Sequence, residues 1–165
     1  MYGKRTHRPL RLAILGDVLD RTSLDDLSLP FADHLFHDFS DWEERAQLLT
    51  DAEGLPVGAF CLSIPQPHGE RTLDIRTDEG EITVSFGFWH AHYGSYLGIS
   101  DEEAVSEALE DIHGIVEDRR VVRVSYKGEA WSGSSLEDAS ESLSPPRQGE
   151  TAAAYSWLGT HDRIL

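Results

Sequence analysis

The segment from Glu81 to His92 constrains the fold most, because two sets of side chains alternate along its whole length. Successive side chains of a β-strand point to opposite faces, so every second residue shares one face. We therefore predict a half-buried strand, with its two histidines enclosed and hydrogen-bonded at the end of the strand. The predicted inner face carries Ile82, Val84, Phe86, Phe88, His90 and His92.

Other strand patterns surround this segment and are separated by short turns. We predict strands at Val57–Ile64 and Thr72–Arg76, and the turn Asp78-Glu79-Gly80 links the second of these to Glu81. A hairpin of Val121–Tyr126 with Glu129–Gly133 and a last strand at Tyr155–Thr160 follow. Short turns favour antiparallel pairing. The expected fold class is α+β, with a mainly antiparallel sheet of about five to six strands and helices packed on one face.

Two helix starts have the capping-box pattern. Ser100 and Glu103 predict a helix through Asp118, with an apolar stripe from Val105 to Val116. The same pattern at Ser40 predicts a helix to about Thr50.

The length of 165 residues suits a single domain. We expect residues 1–55 to be mostly helical or irregular, and residues 56–165 to form the sheet with the helix at 100–118. Residues 134–151 are rich in Ser, Glu, Pro and Gly, which is typical of a surface loop.

Acidic residues dominate the composition: 30 acidic against 14 basic residues give a net charge of −16. Such a charge disfavours nucleic acid and anionic membranes and favours a basic protein partner, although acidity also simply keeps a protein soluble. The acid-rich 17–53 segment and the 100–118 helix are the expected contact surfaces, and exposed Trp or Tyr beside them would anchor a partner. The candidate partner-binding residues of the helix are Glu103, Glu107, Glu110, Asp111, Glu117 and Asp118.

The single cysteine, Cys61, excludes an internal disulfide and is expected to be a small core residue. No apolar run approaches the roughly 20 residues of a membrane-spanning helix. These features predict a cytoplasmic protein without membrane contact.

Paired histidines provide the strongest candidate metal site. His90 and His92 lie two residues apart on a predicted strand, and His161 with Asp162 could complete a ligand set if the last strand lies alongside. No complete catalytic motif is present, so we expect neither enzymatic activity nor a cofactor. The alternative is a small metal-binding protein or metal-dependent enzyme that uses these four residues.

Three motifs between residues 70 and 165 resemble those of small bacterial proteins. They are His-x-His-aromatic at 90–93, Gly-x-x-Trp-x-Gly-Ser at 128–134 and Ser-Trp-x-Gly-Thr-x-Asp at 156–162, with His161 in place of the family's aromatic residue. These proteins are similar to immunity proteins of polymorphic toxin systems. The resemblance implies a protein that neutralises a cognate toxin by binding it. The acidic charge of the chain favours a toxin with a basic surface, such as one that acts on nucleic acid. An acidic adaptor without a toxin partner is a further alternative.

Overall fold

The computed structural model describes residues 11–12 and 19–165, with side chains described from residue 19 onward. Short 3₁₀ helices occupy Arg21–Ser23, Ser40–Arg45 and Ser95–Leu97. The other elements are, in chain order, β1 (Arg11–Leu12), α1 (Ser28–Asp38), β2 (Gln47–Thr50), β3 (Pro56–Pro65), β4 (Thr72–Asp78), β5 (Glu81–Phe86), β6 (Trp89–Gly94), α2 (Asp101–Val116), β7 (Arg120–Lys127), β8 (Ala130–Asp138), β9 (Thr151–Tyr155) and β10 (Arg163–Ile164).

The strands form two antiparallel sheets. The first sheet has the order β1-β2-β3-β4-β5-β6, so each strand lies beside the next one in the chain. The second sheet has the order β10-β9-β7-β8. The predicted α+β class is therefore confirmed, but the prediction of a single sheet is wrong. Helix α2 separates β6 from β7 in the chain, and the later strands pair among themselves instead of extending the first sheet.

The hydrophobic core lies on one face of the first sheet. Helices α1 and α2 both cover this face, and Phe31 and Leu35 from α1 and Ile112 from α2 are fully buried against it. Val122 and Val124 of β7 join the same cluster, so the second sheet shares the core. Burial of one such aliphatic side chain contributes about 1.5–3 kcal/mol.

The predicted turn between β4 and β5 is confirmed. Glu79 and Gly80 both have positive φ, at 49° and 77°, between the paired residues Asp78 and Glu81. Two consecutive residues with positive φ match the twist of the two strands that they connect.

The predicted single strand from Glu81 to His92 is wrong, because the chain reverses at Gly87 and Phe88. Gly87 has a φ of 60°, and Phe86 pairs with Trp89 across a two-residue turn. A glycine adopts this left-handed conformation without a steric penalty. The reversal changes which alternate positions face the core, so Trp89 is buried in the core and Phe88 is exposed.

The predicted helix from Ser40 to Thr50 is also wrong. The chain forms only a 3₁₀ helix, at Ser40–Arg45, whose N-cap is Phe39 and not Ser40. Trp42 is buried and stacks on Phe39 with ring centroids 4.2 Å apart. Strand β2 then pairs with β1 and β3, so the described part of residues 1–55 contributes two strands as well as helices. The pairing of β2 with the long strand β3 therefore outweighs the capping-box pattern at Ser40.

The predictions for the C-terminal part are partly corrected. The hairpin of β7 and β8 is confirmed, but β8 continues to Asp138, which pairs with Arg120. The surface loop is therefore shorter than the predicted 134–151 and covers 139–150. The last long strand is Thr151–Tyr155, whereas residues 156–162 form turns.

Cys61 does not lie in the core as predicted. Its neighbours Phe60 and Leu62 face the core, whereas Cys61 lies on the opposite, polar face and is half-buried. Desolvation raises the pKa of its thiol, with a smaller opposing effect from Arg76, so the thiol is neutral at pH 7.

In the described part of the chain, no helix has both the length and the apolar character needed to cross a membrane.

Candidate protein-binding surface

A capping box fixes the start of α2. The Glu103 backbone N–H donates to Ser100 Oγ at 3.2 Å, and the Ser100 N–H donates to Glu103 Oε2 at 2.8 Å. The hydrogen bonds from the Ser100 backbone and hydroxyl lower the pKa of the Glu103 carboxyl. Asp101 and Glu102 complete an acidic first turn. Negative charges at this end interact favourably with the helix dipole, so the helix tolerates them.

The N-terminal half of α2 presents acids without basic partners. Its apolar stripe is buried, which leaves Glu102, Glu103 and Glu107 exposed on the outer face. Among residues 19–165, the ion pairs include none to these three side chains. Their negative charge is therefore available to an approaching partner.

The C-terminal half of α2 is neutralised by arginines that follow it. Arg119 Nε lies 2.6 Å from Glu117 Oε2. The Arg120 guanidinium lies 3.4 Å from Glu110 and 3.0 Å from Asp111. In the sequence, no lysine or arginine precedes Arg119 on the outer face of this helix. In the structure, the side chains of Arg119 and Arg120 reach back to acidic residues of the preceding turns. Net charge is therefore concentrated at the start of the helix.

Asp111 and Asp118 hold the fold together rather than facing a partner. The Asp111 side chain is 17% exposed and accepts a hydrogen bond from the Tyr93 hydroxyl at 2.5 Å. Asp118 is buried and accepts from the Leu158 N–H at 2.8 Å and from the Thr160 hydroxyl. Asp118 is therefore not exposed on the outer face of the helix as expected, because its carboxylate is enclosed by the turn after β9.

Two exposed apolar side chains precede the acidic end of α2. Tyr96 is 59% exposed and Leu97 is 54% exposed, and both lie in the 3₁₀ helix that follows β6. Partial desolvation and the nearby Glu81 carboxylate raise the pKa of the Tyr96 phenol. We call Glu81, Tyr96, Leu97, Glu102 and Glu107 the Tyr96 surface. It combines an aromatic side chain with carboxylates, which is the combination expected of a partner anchor.

The 17–53 segment carries many acids, but several of them have local partners. Arg21 lies 2.6 Å from Asp33 and 2.7 Å from Glu43. Asp38 Oδ2 lies 2.8 Å from His113 Nε2, which joins α1 to α2. The described part of this segment is therefore less strongly negative towards solvent than its composition indicates.

His90 and His92 are exposed, so the prediction that both are enclosed is wrong. The reversal at Gly87 places them on the polar face of the first sheet, with ring centroids 5.1 Å apart. His92 Nδ1 lies 2.5 Å from Glu81 Oε1 and 3.1 Å from the Thr83 hydroxyl.

His161 and Asp162, the C-terminal pair of candidate metal ligands, make hydrogen bonds and an ion pair within the protein. His161 donates its backbone N–H to Ser156 Oγ at 3.0 Å. Asp162 accepts from the Ser156 N–H at 2.7 Å and pairs with Arg71 at 3.5 Å. Within the described ranges, no group of three or more His, Cys, Asp or Glu side chains could hold a metal ion. The four candidate ligands are thus not brought together as one set.

The remaining large aromatic side chains separate into core and surface. Trp89 and Trp157 are buried, whereas Phe88 and Trp131 are 54% and 53% exposed. Phe88 meets Tyr126 edge to face at 6.4 Å, where the β5–β6 turn approaches the β7–β8 hairpin. These contacts join the two sheets at one end.

Comparisons with family models, with curated proteins and with solved structures gave no match to this chain. The Tyr96 surface is therefore the main structural indication of what the protein binds.

The sequence did not reveal which acids are free, because ion pairing depends on where Arg119 and Arg120 fold. It also gave no indication of a polar cavity around Arg123. The only available signal was an arginine placed between the valines of a valine-rich strand.

Proposed function

We propose that this protein is an immunity protein that binds a basic toxin through the Tyr96 surface and blocks its active region. The observation that carries the proposal is that exposed Tyr96 and Leu97 directly precede α2, whose first two turns carry Glu102, Glu103 and Glu107 without an ion-pair partner among residues 19–165. The toxin class follows from charge, since an enzyme that acts on nucleic acid must attract phosphate and therefore presents a basic surface.

The carboxylates supply attraction at a distance. Oppositely charged surfaces raise association rates from about 10⁵–10⁶ M⁻¹s⁻¹ towards 10⁸–10⁹ M⁻¹s⁻¹ at low salt. Unpaired acids such as Glu102 and Glu107 contribute most to this field, because a neighbouring arginine offsets acids such as Glu117. A fast, salt-sensitive association is therefore expected.

The apolar pair supplies contact energy after the encounter. Aromatic side chains that become buried at the centre of an interface carry much of the binding energy. Tyr96 has both an apolar ring and a hydroxyl, so it suits a partly wet interface. Its loss should accelerate dissociation more than it slows association.

The first experiment tests neutralisation. The candidate toxin is the product of the gene adjacent to the one that encodes this chain, and it is expressed in a bacterial host with and without this protein. Restored growth supports the proposal. Continued growth arrest, together with no complex between the two purified proteins, contradicts it.

The second experiment tests the surface by binding kinetics. The double variant Glu102→Lys/Glu107→Lys spares the capping box and the apolar stripe, and should slow association about tenfold at low salt but little at high salt. The matched control Glu53→Lys/Glu141→Lys changes the net charge equally at exposed positions elsewhere. If both double variants associate equally fast, the Tyr96 surface is not the contact region. Tyr96→Ala should mainly shorten the lifetime of the complex.

A further inference from the structure

A cavity of about 350 Å³ lies between the second sheet and the loop 139–150. Arg123 and Ser125 of β7 line it, together with Ser132 to Ser135 of β8. The loop closes one side through Ser144 and Pro145. Known ligand pockets range from about 300 to 1,000 Å³, so the cavity can hold a small molecule.

Arg123 is the central polar group of this cavity. It is only 8% exposed, which is unusual for a cation. Nε donates to the Ser144 carbonyl at 2.6 Å, Nη2 to the Pro145 carbonyl at 3.2 Å and Nη1 to Ser125 Oγ at 2.6 Å. A guanidinium has five N–H donors, so two remain without an acceptor among the described residues. Two N–H groups of one guanidinium match the two oxygens of a carboxylate.

Serine hydroxyls add further donors. Ser125 Oγ accepts from Arg123, so its own hydrogen is free to donate. In the described part of the chain, the Ser132 hydroxyl has no hydrogen-bond partner. Ser134 and Ser135, in contrast, donate to the Phe88 carbonyl and to Glu137.

The charge of the lining limits the ligand. Arg123 and Arg147 are balanced by Glu137 and Glu150. Glu137 is held by the Ser144 N–H at 2.9 Å, and its Oε1 lies 3.9 Å from Arg123 Nε. Two carboxylates beside the arginine repel a doubly charged phosphate more than a singly charged group. The lining therefore favours one negative charge and several hydroxyl contacts.

We propose that this cavity binds a small hydroxylated monocarboxylate, with its carboxylate on the free N–H groups of Arg123 and its hydroxyls on Ser125 and Ser132. This site is independent of the proposed immunity function.

The test is calorimetric titration of the full chain at constant ionic strength. Glycerate and gluconate are the carboxylate probes, glycerol is the neutral control and inorganic phosphate is the other oxyanion. We expect binding of at least one carboxylate with Kd of about 1 mM or below. Glycerol and phosphate should bind at least about tenfold more weakly. If neither carboxylate binds at about 10 mM, or if glycerol or phosphate binds equally well, the proposal is wrong.

Two variants locate the site. Arg123→Lys keeps the charge but removes the paired donors, and should weaken binding at least about tenfold. The control Arg45→Lys makes the same exchange at an exposed position and should leave the affinity unchanged. Since Arg123 also tethers the loop, Ser132→Leu provides a second test, because it fills the cavity from an exposed strand position. Unchanged affinity in Ser132→Leu, or in folded Arg123→Lys, would overturn the assignment.

Discussion

Replacing Asp118 should destabilise the protein without changing its association with a partner. Asp118 follows α2 with a φ of 56° and is 9% exposed. Its carboxylate accepts from the Leu158 N–H at 2.8 Å and from the Thr160 hydroxyl, and so fixes the turn after β9 to the end of the helix. Hydrogen bonds to a charged group contribute about 1.5–3 kcal/mol each.

Three substitutions separate the hydrogen bonds from the backbone conformation. Asp118→Ala loses both bonds and retains an unfavourable positive φ, so we expect a loss of at least about 3–6 kcal/mol. Asp118→Gly loses the same bonds but relieves the backbone, so its loss should be about 1 kcal/mol smaller than that of Asp118→Ala. Asp118→Asn keeps an acceptor and tolerates this conformation, so the loss should be about 1 kcal/mol.

Urea unfolding followed by tryptophan fluorescence measures these differences, since Trp157 is buried beside the turn. The slope with urea should not change, because the surface exposed on unfolding is nearly the same. If Asp118→Ala unfolds within about 0.5 kcal/mol of the wild type, the Asp118 carboxylate does not stabilise this turn, because surface substitutions normally fall in that range. Slower toxin association by folded Asp118→Asn would instead restore Asp118 to the interface.

Two further substitutions test the supports of α2. Ser100→Ala should lower the free energy of unfolding by about 1 kcal/mol, because it removes the capping box. The control Ser106→Ala, at an exposed position within the helix, should not lower it. Equal effects of the two substitutions would show that the capping box does not stabilise the protein. Burial and the hydrogen bond to Asp111 raise the pKa of the Tyr93 phenol above its usual value of 10.0. Its stabilising contribution is therefore present below about pH 10 and is lost as the pH rises through the folded-state pKa. Tyr93→Phe cannot ionise, so this variant should not lose stability over that alkaline range. If the wild type and Tyr93→Phe unfold at the same alkaline pH, ionisation of Tyr93 does not limit the stability of the fold.

Local signals were sufficient where short-range chemistry decides the structure. The Ser100 capping box and the Glu79-Gly80 turn were predicted correctly, since each depends on residues within a few positions of one another. The apolar stripe of α2 predicted its buried face for the same reason.

Local signals failed where a competing partner was distant in the sequence. The capping-box pattern at Ser40 did not produce an α-helix, because Leu48 pairs with Phe60 in the first sheet. The alternation from Glu81 to His92 did not reveal the reversal at Gly87, because each of the two strands has its own two-residue alternation, and only their pairing decides that the core-facing positions change at the turn.

Composition, alternation and capping are local properties, so they were sufficient to predict an acidic α+β protein with antiparallel strands and an acidic helix. Which acids remain available depends instead on how distant segments pack together. Arg119 and Arg120 fold back on the end of α2, and the turn at 156–162 encloses Asp118. The physical reason is that charge compensation and burial depend on distances between segments that are far apart in the chain.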